Sequence, residues 1–205
     1  MIKIENIDAY GWEAAIRGAR NPMNSWDRMD TCYNNGEFEI GENDYKLLKN
    51  LTIAGPEHRK WNRMVTVTMD ITAPLYWWKE YDTYKVGTVA NSCSTMHKIQ
   101  AKKFEKSDFS IDHMTEDTEP IMNVVIAELN LNRTLFNKTK DKKYWWNMIQ
   151  LLPTSYNQKR TVHLNYEVLG TIYHQRRHHK LDEWVEFCDT IKRLPYSEFI
   201  TREFE

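Results

Sequence analysis

The stretch that decides the fold is residues 70–97, which read DITAPLYWWKEYDTYKVGTVANSCSTMH. Its first residues complete the run RMVTVTMDITAP (63–74), in which apolar and polar residues alternate and β-branched side chains are frequent, the pattern of a β-strand. The proline at the end of this run should end the strand or lie at a sheet edge. Residues 75–85 are rich in aromatic side chains and predict a helix that breaks near Gly87. The polar string NSCST then predicts a loop, and loops on a rigid scaffold often carry binding groups.

Helical periodicity accounts for much of the remaining chain. Residues 1–50 show no clear period and contain many turn residues. Asp44 is predicted to cap a helix that Gly55 closes, and Pro120 to begin a longer one. One clear strand and at least three helices predict an α+β fold. The other predicted helices are 161–177 and 181–194, and the predicted apolar rows are Ile121, Val124, Val125, Leu131 and Leu135 after Pro120, and Leu164, Val168, Ile172 and Arg176 in 161–177.

Composition and charge limit the classes of protein to which the chain can belong. Its 205 residues, 41% hydrophobic and 28% charged, predict one folded domain over residues 1–205. The net charge of -1 gives no basic footprint for nucleic acid, and the sequence shows no signal-peptide core or membrane-spanning run. Three widely spaced cysteines indicate neither a disulfide framework nor a zinc site. We therefore expect a cytoplasmic protein with no nucleic-acid partner, no membrane and no metal.

Three separated segments resemble the flavin-dependent thymidylate synthases. The first is Pro56-Glu57-His58, the second is the strand, Ala-Pro, aromatic helix and loop of residues 66–97, and the third is LLPTSYNQKRTVHLNYEVLGTIYHQR (151–176), followed by Glu183-Trp184. The order and spacing of the segments carry the resemblance, which covers roughly half of the chain. It implies an antiparallel sheet with flanking helices and a homotetramer with sites at subunit junctions.

The chain departs from the family's pattern at several charged positions. The family's Arg-His-Arg falls at Thr83-Tyr84-Lys85, whereas Asn91 and Ser94 keep the family's Asn and Ser after a one-residue insertion. An Arg on the flavin side falls at Glu167, and the Arg of the Leu-Pro segment falls at Lys159, which keeps the charge and loses the planar fork.

The resemblance implies that Arg176 is the catalytic group and also binds the nucleotide. A fixed guanidinium would stabilise negative charge on the pyrimidine, and Ser94 and Lys159 would hold its phosphate. The alternatives are a surface Arg at a basic helix end, a loop cap at Ser94 and a solvated Lys159. Because Arg177 is adjacent, the register of the catalytic Arg is open by one residue.

The resemblance also implies a flavin site. His58, Tyr84, Lys85 and Asn91 would face FAD, with Lys85 near a phosphate of the cofactor. Glu80 would lie beside the flavin, where a carboxylate disfavours the anionic reduced form. The alternative is that this loop has lost the cofactor and that Tyr84 packs in an interface.

The function that the resemblance implies is FAD-dependent reductive methylation of dUMP to dTMP, with methylenetetrahydrofolate and NADPH as co-substrates. Two alternatives stay open. One is a non-catalytic nucleotide-binding or structural relative with the same fold, and the other is an enzyme that transfers a different one-carbon unit or acts on another pyrimidine nucleotide. A nucleophilic Cys93 and a metal site at His174 and His178 are disfavoured, because neither has the neighbouring residues such chemistry needs.

Overall fold

A computed structural model describes residues 2–34 and 37–204, with the backbone alone described at residue 37. The described chain contains six strands and nine α-helices, and some of the connections between them contain short 3-10 turns. No helix in this part of the chain is long and apolar enough to cross a membrane. The strands are β1 (Lys3–Tyr10), β2 (Cys32–Asn34), β3 (Glu37–Glu39), β4 (Thr66–Pro74), β5 (Val89–Ser92) and β6 (Asn157–Asn165), and the helices are α1 (Trp12–Arg20), α2 (Glu42–Ala54), α3 (Leu75–Tyr81), α4 (Thr95–Lys98), α5 (Glu119–Thr139), α6 (Lys142–Leu151), α7 (Tyr166–Arg176), α8 (Asp182–Ile191) and α9 (Glu198–Thr201).

The main sheet has four strands in the order β1-β4-β6-β5, and β2 and β3 form a separate antiparallel pair. Backbone hydrogen bonds just beyond the two central strands give their relative direction. Tyr166 N donates to Val65 O and Leu75 N donates to Tyr156 O, both at 3.0 Å. Residue numbers therefore rise on β4 as they fall on β6, which is antiparallel pairing. The predicted α+β fold with an antiparallel sheet and flanking helices is confirmed.

The chain divides into two compact units. The first contains Ile71–Thr83 and Asn91–Thr161 with the N-terminal residues, and the second contains Ile4–Asp70, Tyr84–Ala90 and the chain from Val162 onward. The single domain predicted over residues 1–205 stays a prediction.

Aromatic side chains build the core of the second unit. The ring of Trp12 meets Tyr166 edge-on with centroids 5.0 Å apart, and Trp61 meets Phe199 in the same way at 4.9 Å. Edge-to-face pairs of this kind add roughly 0.5–1.5 kcal/mol each beyond the burial of their area. Gly11 lets the chain approach this core, since its φ is 90° and a Cβ there would lie 2.3 Å from Met64 O.

The first unit buries a separate set of rings. Trp77, Trp78 and Tyr81 of α3 are almost fully buried. They confirm that the aromatic segment after β4 is helical, although α3 ends at Tyr81, earlier than predicted. Helix α5 packs on α6 over a second apolar cluster. The buried members of that cluster are Ile99, Phe104, Phe109, Met122, Leu129 and Met148.

The prediction of a helix over residues 161–177 is wrong in its first part. Residues 161–165 belong to β6, and α7 begins at Tyr166. Val162 and Leu164 are buried while His163 is exposed, so the segment follows the two-residue period of a strand. The i, i+4 row from Leu164 arose because the strand and the helix follow one another without a break.

The prediction that residues 1–50 are irregular is also wrong, because they form β1, α1 and α2. The strand was hidden by Asn6, whose φ of 52° interrupts the alternation of Ile4 and Ile7. The predicted helix at Asp44 is confirmed as α2, with Gly55 after its last residue at a φ of 126°. Asp44 does not cap this helix, however, since it lies within the first turn and is buried.

Helix α5 is confirmed, but the apolar face predicted for it is largely wrong, since of its five residues Val125 packs on the apolar cluster while three are exposed. Its buried residues are Met122, Leu129 and Asn132. By contrast Ile121 is 63% exposed, Val124 69% and Leu131 53%. The helix is apolar on more than one side, so periodicity could not decide which side packs inward. We call the outward set the α5 row: Ile121, Val124, Glu128, Leu131 and Leu135.

A buried ion pair joins α1 to α2. Arg20 Nε donates to Asp44 Oδ1 at 2.6 Å, and the two side chains are 4% and 0% exposed. The same carboxylate accepts from the backbone and hydroxyl of Thr31 at 2.9 and 2.7 Å. Burial alone would raise the pKa of Asp44, but the hydrogen bonds from Thr31, Arg20 and the backbone outweigh it and lower the pKa.

We expect Asp44→Asn to destabilise the protein by about 3–5 kcal/mol at neutral pH, because it leaves Arg20 buried and unpaired. Since the folded-state pKa is lowered, the stabilisation from ionised Asp44 is present above its unfolded pKa of about 4 and is lost as the pH falls through the folded value. The difference from wild type in urea unfolding should therefore shrink below about pH 4. Asp27→Asn, at an exposed position, is the control and should change stability little; equal effects of the two substitutions would contradict the prediction.

Candidate functional site

Arg176 at the end of α7 is held by an aromatic pair in the second unit. Its Nε donates to the Tyr84 hydroxyl at 2.9 Å, and that hydroxyl donates to Gln175 Oε1 at 2.9 Å. The guanidinium carbon lies 4.9 Å from the ring centroid of Trp184, which is fully buried. We call Tyr84, Gln175, Arg176 and Trp184 the Arg176 cluster. A guanidinium stacked and hydrogen-bonded in this way keeps a fixed direction.

The segment that carries Tyr84 lies along α7. Gly87 has a φ of 77°, and a Cβ there would lie 3.0 Å from Asn165 Nδ2 and 3.3 Å from Val168 Cγ2 at the start of the helix. Only glycine permits this approach without strain. The segment therefore runs from the first turn of α7 at Gly87 to its last turn at Tyr84.

The neighbouring arginine has different partners. Arg177 Nη1 donates to Glu203 Oε1 at 2.9 Å, and its guanidinium lies 5.6 Å from the ring of Tyr173. Arg176 and Arg177 are thus distinguished by their surroundings, since only the former contacts Tyr84. The choice of Arg176 as the functional arginine stays a prediction that this difference supports.

In the first unit, the loop after β5 is tied to β6 by three hydrogen bonds. Cys93 N donates to Lys159 O at 2.9 Å, Gln158 Nε2 donates to Cys93 O at 2.7 Å, and Trp78 Nε1 donates to Gln158 O at 2.9 Å. The polar string and Lys159 are therefore brought together through the backbone. Ser94 is the N-cap of α4 and accepts from His97 N at 3.0 Å.

Arg160 also lies in this region, although the sequence did not predict it as a site residue. Its Nη1 donates to Asp82 Oδ1 at 2.8 Å, its Nε donates to Gln158 Oε1 at 3.0 Å, and its guanidinium lies 4.2 Å from the ring of Trp78. Adjacent residues of a strand point to opposite faces, so Arg160 and Lys159 serve different surroundings. The pair Trp78 and Asp82, four residues apart on a predicted helix, was the available signal.

The other predicted site residues lie at or near the surface. His58, Lys85 and Asn91 are exposed, and Glu80 is half-buried near the end of α3. The structure brings Tyr84 together with Arg176 in the second unit, and Ser94 near Lys159 through Cys93 in the first. The roles of all these residues stay predictions. Among residues 2–34 and 37–204, no three or more His, Cys, Asp or Glu side chains are arranged to hold a metal ion.

Comparison of the sequence with family models and with curated proteins gives no match. Solved structures do match. Thymidylate synthase X (ThyX) from Helicobacter pylori, crystallised with FAD and dUMP, is 15% identical with a TM-score of 0.71 and coverage of 97% of this chain and 96% of that one. A second structure of flavin-dependent ThyX from the same organism, complexed with FAD and dUMP, gives 15% identity and a TM-score of 0.68 over 95% and 96%. The UMP/dUMP methylase PolB from Streptomyces cacaoi, bound with 5-Br dUMP, is 14% identical with a TM-score of 0.62 over 94% and 88%.

At these identities the likeness establishes the fold. The chain has the fold of the flavin-dependent thymidylate synthases over almost its whole length. The sequence resemblance therefore identified the correct fold class, although residues 1–50 carried no motif and were predicted to be irregular.

We expect Ser94→Ala to destabilise α4 by about 1 kcal/mol, because the N-cap acceptor for His97 N is lost. Ser94→Asp should keep the cap and most of the stability while removing the hydroxyl donor. The measurement is amide hydrogen exchange at His97, compared with urea unfolding of the whole chain. Equal protection of His97 in wild type and Ser94→Ala would contradict the assigned cap.

Proposed function

We propose that the chain is a flavin-dependent enzyme that methylates a pyrimidine deoxynucleotide, dUMP to dTMP, with methylenetetrahydrofolate and NADPH as co-substrates. The observation that carries the proposal is the Arg176 cluster, in which a hydroxyl and an indole ring hold a guanidinium at the end of α7. The fold is shared with structures that contain FAD and dUMP. We propose further that the protein is cytoplasmic.

Arg176 would act on the pyrimidine. As C5 of the ring becomes nucleophilic, negative charge develops on the ring nitrogen and carbonyl oxygen. A guanidinium donates N–H groups to such charge, and one that is already oriented needs little reorganisation when the charge appears. The contacts of Arg176 with Tyr84 and Trp184 would supply that orientation.

Ser94 and Lys159 would hold the nucleotide phosphate. The Ser94 oxygen accepts from His97 N, so its hydroxyl proton remains for donation to a phosphate oxygen. Lys159 would add a point charge in place of a planar fork. A shared role is supported by the hydrogen bond from Cys93 N to Lys159 O, because Ser94 is the residue after Cys93.

The side chains proposed for FAD are of chemical types that can bind an anionic, planar group. Lys85 is exposed and has no ion pair within the described part of the chain, so its ammonium is suited to a phosphate. Asn91 and His58 are exposed polar groups, and Tyr84 offers a ring. Bound FAD would supply hydride transfer. Glu80 would oppose negative charge on the reduced flavin.

A second candidate function is nucleotide binding without catalysis. It is favoured by the exchange of Arg-His-Arg for Thr83-Tyr84-Lys85, and by Glu167, which is already paired with Arg59 at 2.7 Å. A third, transfer of a different one-carbon unit or action on another pyrimidine nucleotide, would keep the Arg176 cluster and alter the surrounding loop.

The α5 row supports the proposed assembly into a homotetramer. Helix α5 has 21 residues and is about 31 Å long. Its row is mostly apolar and is exposed except at Leu135, which is half-buried. Glu128 is the one charged member of the row, and its Oε1 accepts from Asn132 Nδ2 at 2.7 Å. Exposed acidic residues precede the helix at 116–117, and lysines lie at and after its end at 138, 140, 142 and 143, with Asp141 among them. Antiparallel pairing with a second copy would therefore match apolar row to apolar row and acidic end to basic end.

We expect the purified protein to absorb in the oxidised-flavin band or to take up added FAD, and to form dTMP from dUMP with methylenetetrahydrofolate and NADPH. Arg176→Ala should lower turnover by about 100-fold or more while FAD uptake persists. Product formation and flavin absorbance are the two measurements.

The control for this test is Arg177→Ala, which should keep turnover because Arg177 pairs with Glu203. Activity that survives Arg176→Ala and fails in Arg177→Ala would contradict the assigned register. Colourless protein that ignores FAD but binds dUMP would contradict the enzyme and support the binding function.

We expect the double substitution Val124→Asp and Leu131→Asp to lower the mass of the assembly, because it places buried carboxylates in the proposed interface. The mass is measured by light scattering or sedimentation velocity. Ile53→Asp, at a residue 65% exposed on α2, is the matched control and should leave the mass unchanged. An unchanged mass in the double variant would show that the α5 row is not an interface.

A further inference from the structure

A second arginine cluster lies on α7, away from the Arg176 cluster. Arg59 Nε donates to Glu167 Oε2 at 2.7 Å and to Oε1 at 3.0 Å, and the two side chains are only 12% and 15% exposed. Neither Nη group of Arg59 has a hydrogen-bond partner among the residues that the structure describes. Glu167 therefore fixes the Arg59 guanidinium through Nε, while the Nη donors of Arg59 remain unused.

Arg202 approaches the same carboxylate from the segment after α9. Its Nη2 lies 3.9 Å from Glu167 Oε1, too far for a good hydrogen bond. Its Nε is buried and has no acceptor within the described chain. Gly170 makes room for this guanidinium, since a Cβ there would lie 3.2 Å from Arg202 Nη2 and 3.1 Å from Ile200 O.

The two arginines share one carboxylate. Glu167 faces both Arg59 and Arg202, whereas Glu203, the residue after Arg202, pairs with Arg177 at 2.9 Å. Burial and the proximity of Arg59 lower the pKa of Arg202, although Glu167 opposes this. The cluster thus carries an excess of positive charge in a half-buried place, which favours an anion.

His174, on the same face of α7, is affected by the same excess of positive charge. His174 lies seven residues after Glu167, two turns along the same side of α7. Burial, Arg202 and Arg177 lower its pKa more than Glu203 raises it. His174 therefore adds little charge of its own near neutral pH and offers a neutral ring beside the arginines.

The geometry of α7 separates this cluster from Arg176. Glu167 and Arg176 are nine residues apart, which is two and a half helical turns, so they lie on opposite faces. A ligand held by Arg59 and Arg202 would therefore meet the face of α7 opposite the Arg176 cluster.

We propose that Arg59 and Arg202, held by Glu167 on this face of α7, form a binding site for a phosphoryl group. A phosphate oxygen would accept from the unused Nη donors of Arg59. Rotation of the Arg202 guanidinium would bring its Nε, which is buried and otherwise lacks an acceptor, to the same anion. A structural Arg–Glu–Arg triad would use the donors of both arginines. Here the Nη groups of Arg59 and the Nε of Arg202 have no acceptor among the described residues. The inference does not require the methylation proposed above, because the phosphoryl group can belong to a cofactor, a nucleotide or a free anion.

The test is isothermal titration of the full chain with inorganic pyrophosphate at constant ionic strength. Wild type should bind, and Arg202→Gln and Arg59→Gln should each weaken binding by about tenfold or more. Arg202→Lys should give an intermediate affinity, because it keeps the charge and loses the fork. Arg17→Gln, which removes one exposed arginine elsewhere, is the charge-matched control and should bind like wild type.

Circular dichroism of each variant shows whether a loss of binding comes from a loss of folding. If Arg59→Gln unfolds, the affinities of Arg202→Gln and Arg202→Lys test the site without it. Wild type that does not bind pyrophosphate, or Arg202→Gln that binds as tightly as wild type, would overturn the site, whatever the result with FAD. Competition by FAD would assign the site to a cofactor diphosphate, and competition by dUMP alone to a nucleotide phosphate. Competition by neither would assign it to a free anion.

Discussion

The N-cap of α7 is the constraint on which the described sites depend. Asn165 ends β6 and accepts from Val168 N at 3.0 Å, so its side chain caps the helix and sets its start. Because each residue of an α-helix turns it by about 100°, a start one residue earlier or later would rotate every later side chain by that angle. The cap therefore decides that Arg176 meets Tyr84 and Trp184 and that Glu167 meets Arg59. Gly87 packs on the same turn and reinforces this register.

Much of the fold could be predicted from local pattern and resemblance. The strand at 63–74, the helix closed by Gly55 and the helix after Pro120 follow from alternation, capping and proline placement, which act within a few residues. The boundary between β6 and α7 could not be found in the same way, because the strand passes into the helix with no turn between them. The inward face of α5 was also out of reach, since a helix that is apolar on several sides packs according to its neighbours.

The candidate site was predictable in its residue types and not in its contacts. Motif order led to Tyr84 and Arg176, but nothing in the sequence indicated that the phenol would hold the guanidinium. The stack of Arg160 on Trp78 joins residues 82 positions apart, and only the folded chain brings them together. Pairings of this kind depend on tertiary contacts that no local rule encodes.

The cluster around Glu167 also links ligand occupancy to the anchoring of the chain after α9. Arg202 lies on Gly170, Glu203 accepts from Tyr173 and Arg177, and the ring of Phe204 lies 5.7 Å from Phe199. An anion that tightens Arg202 against α7 would thereby lower the free energy of the attached segment as well. By thermodynamic reciprocity, whatever loosens these last described residues from the helix must weaken the anion by the same factor.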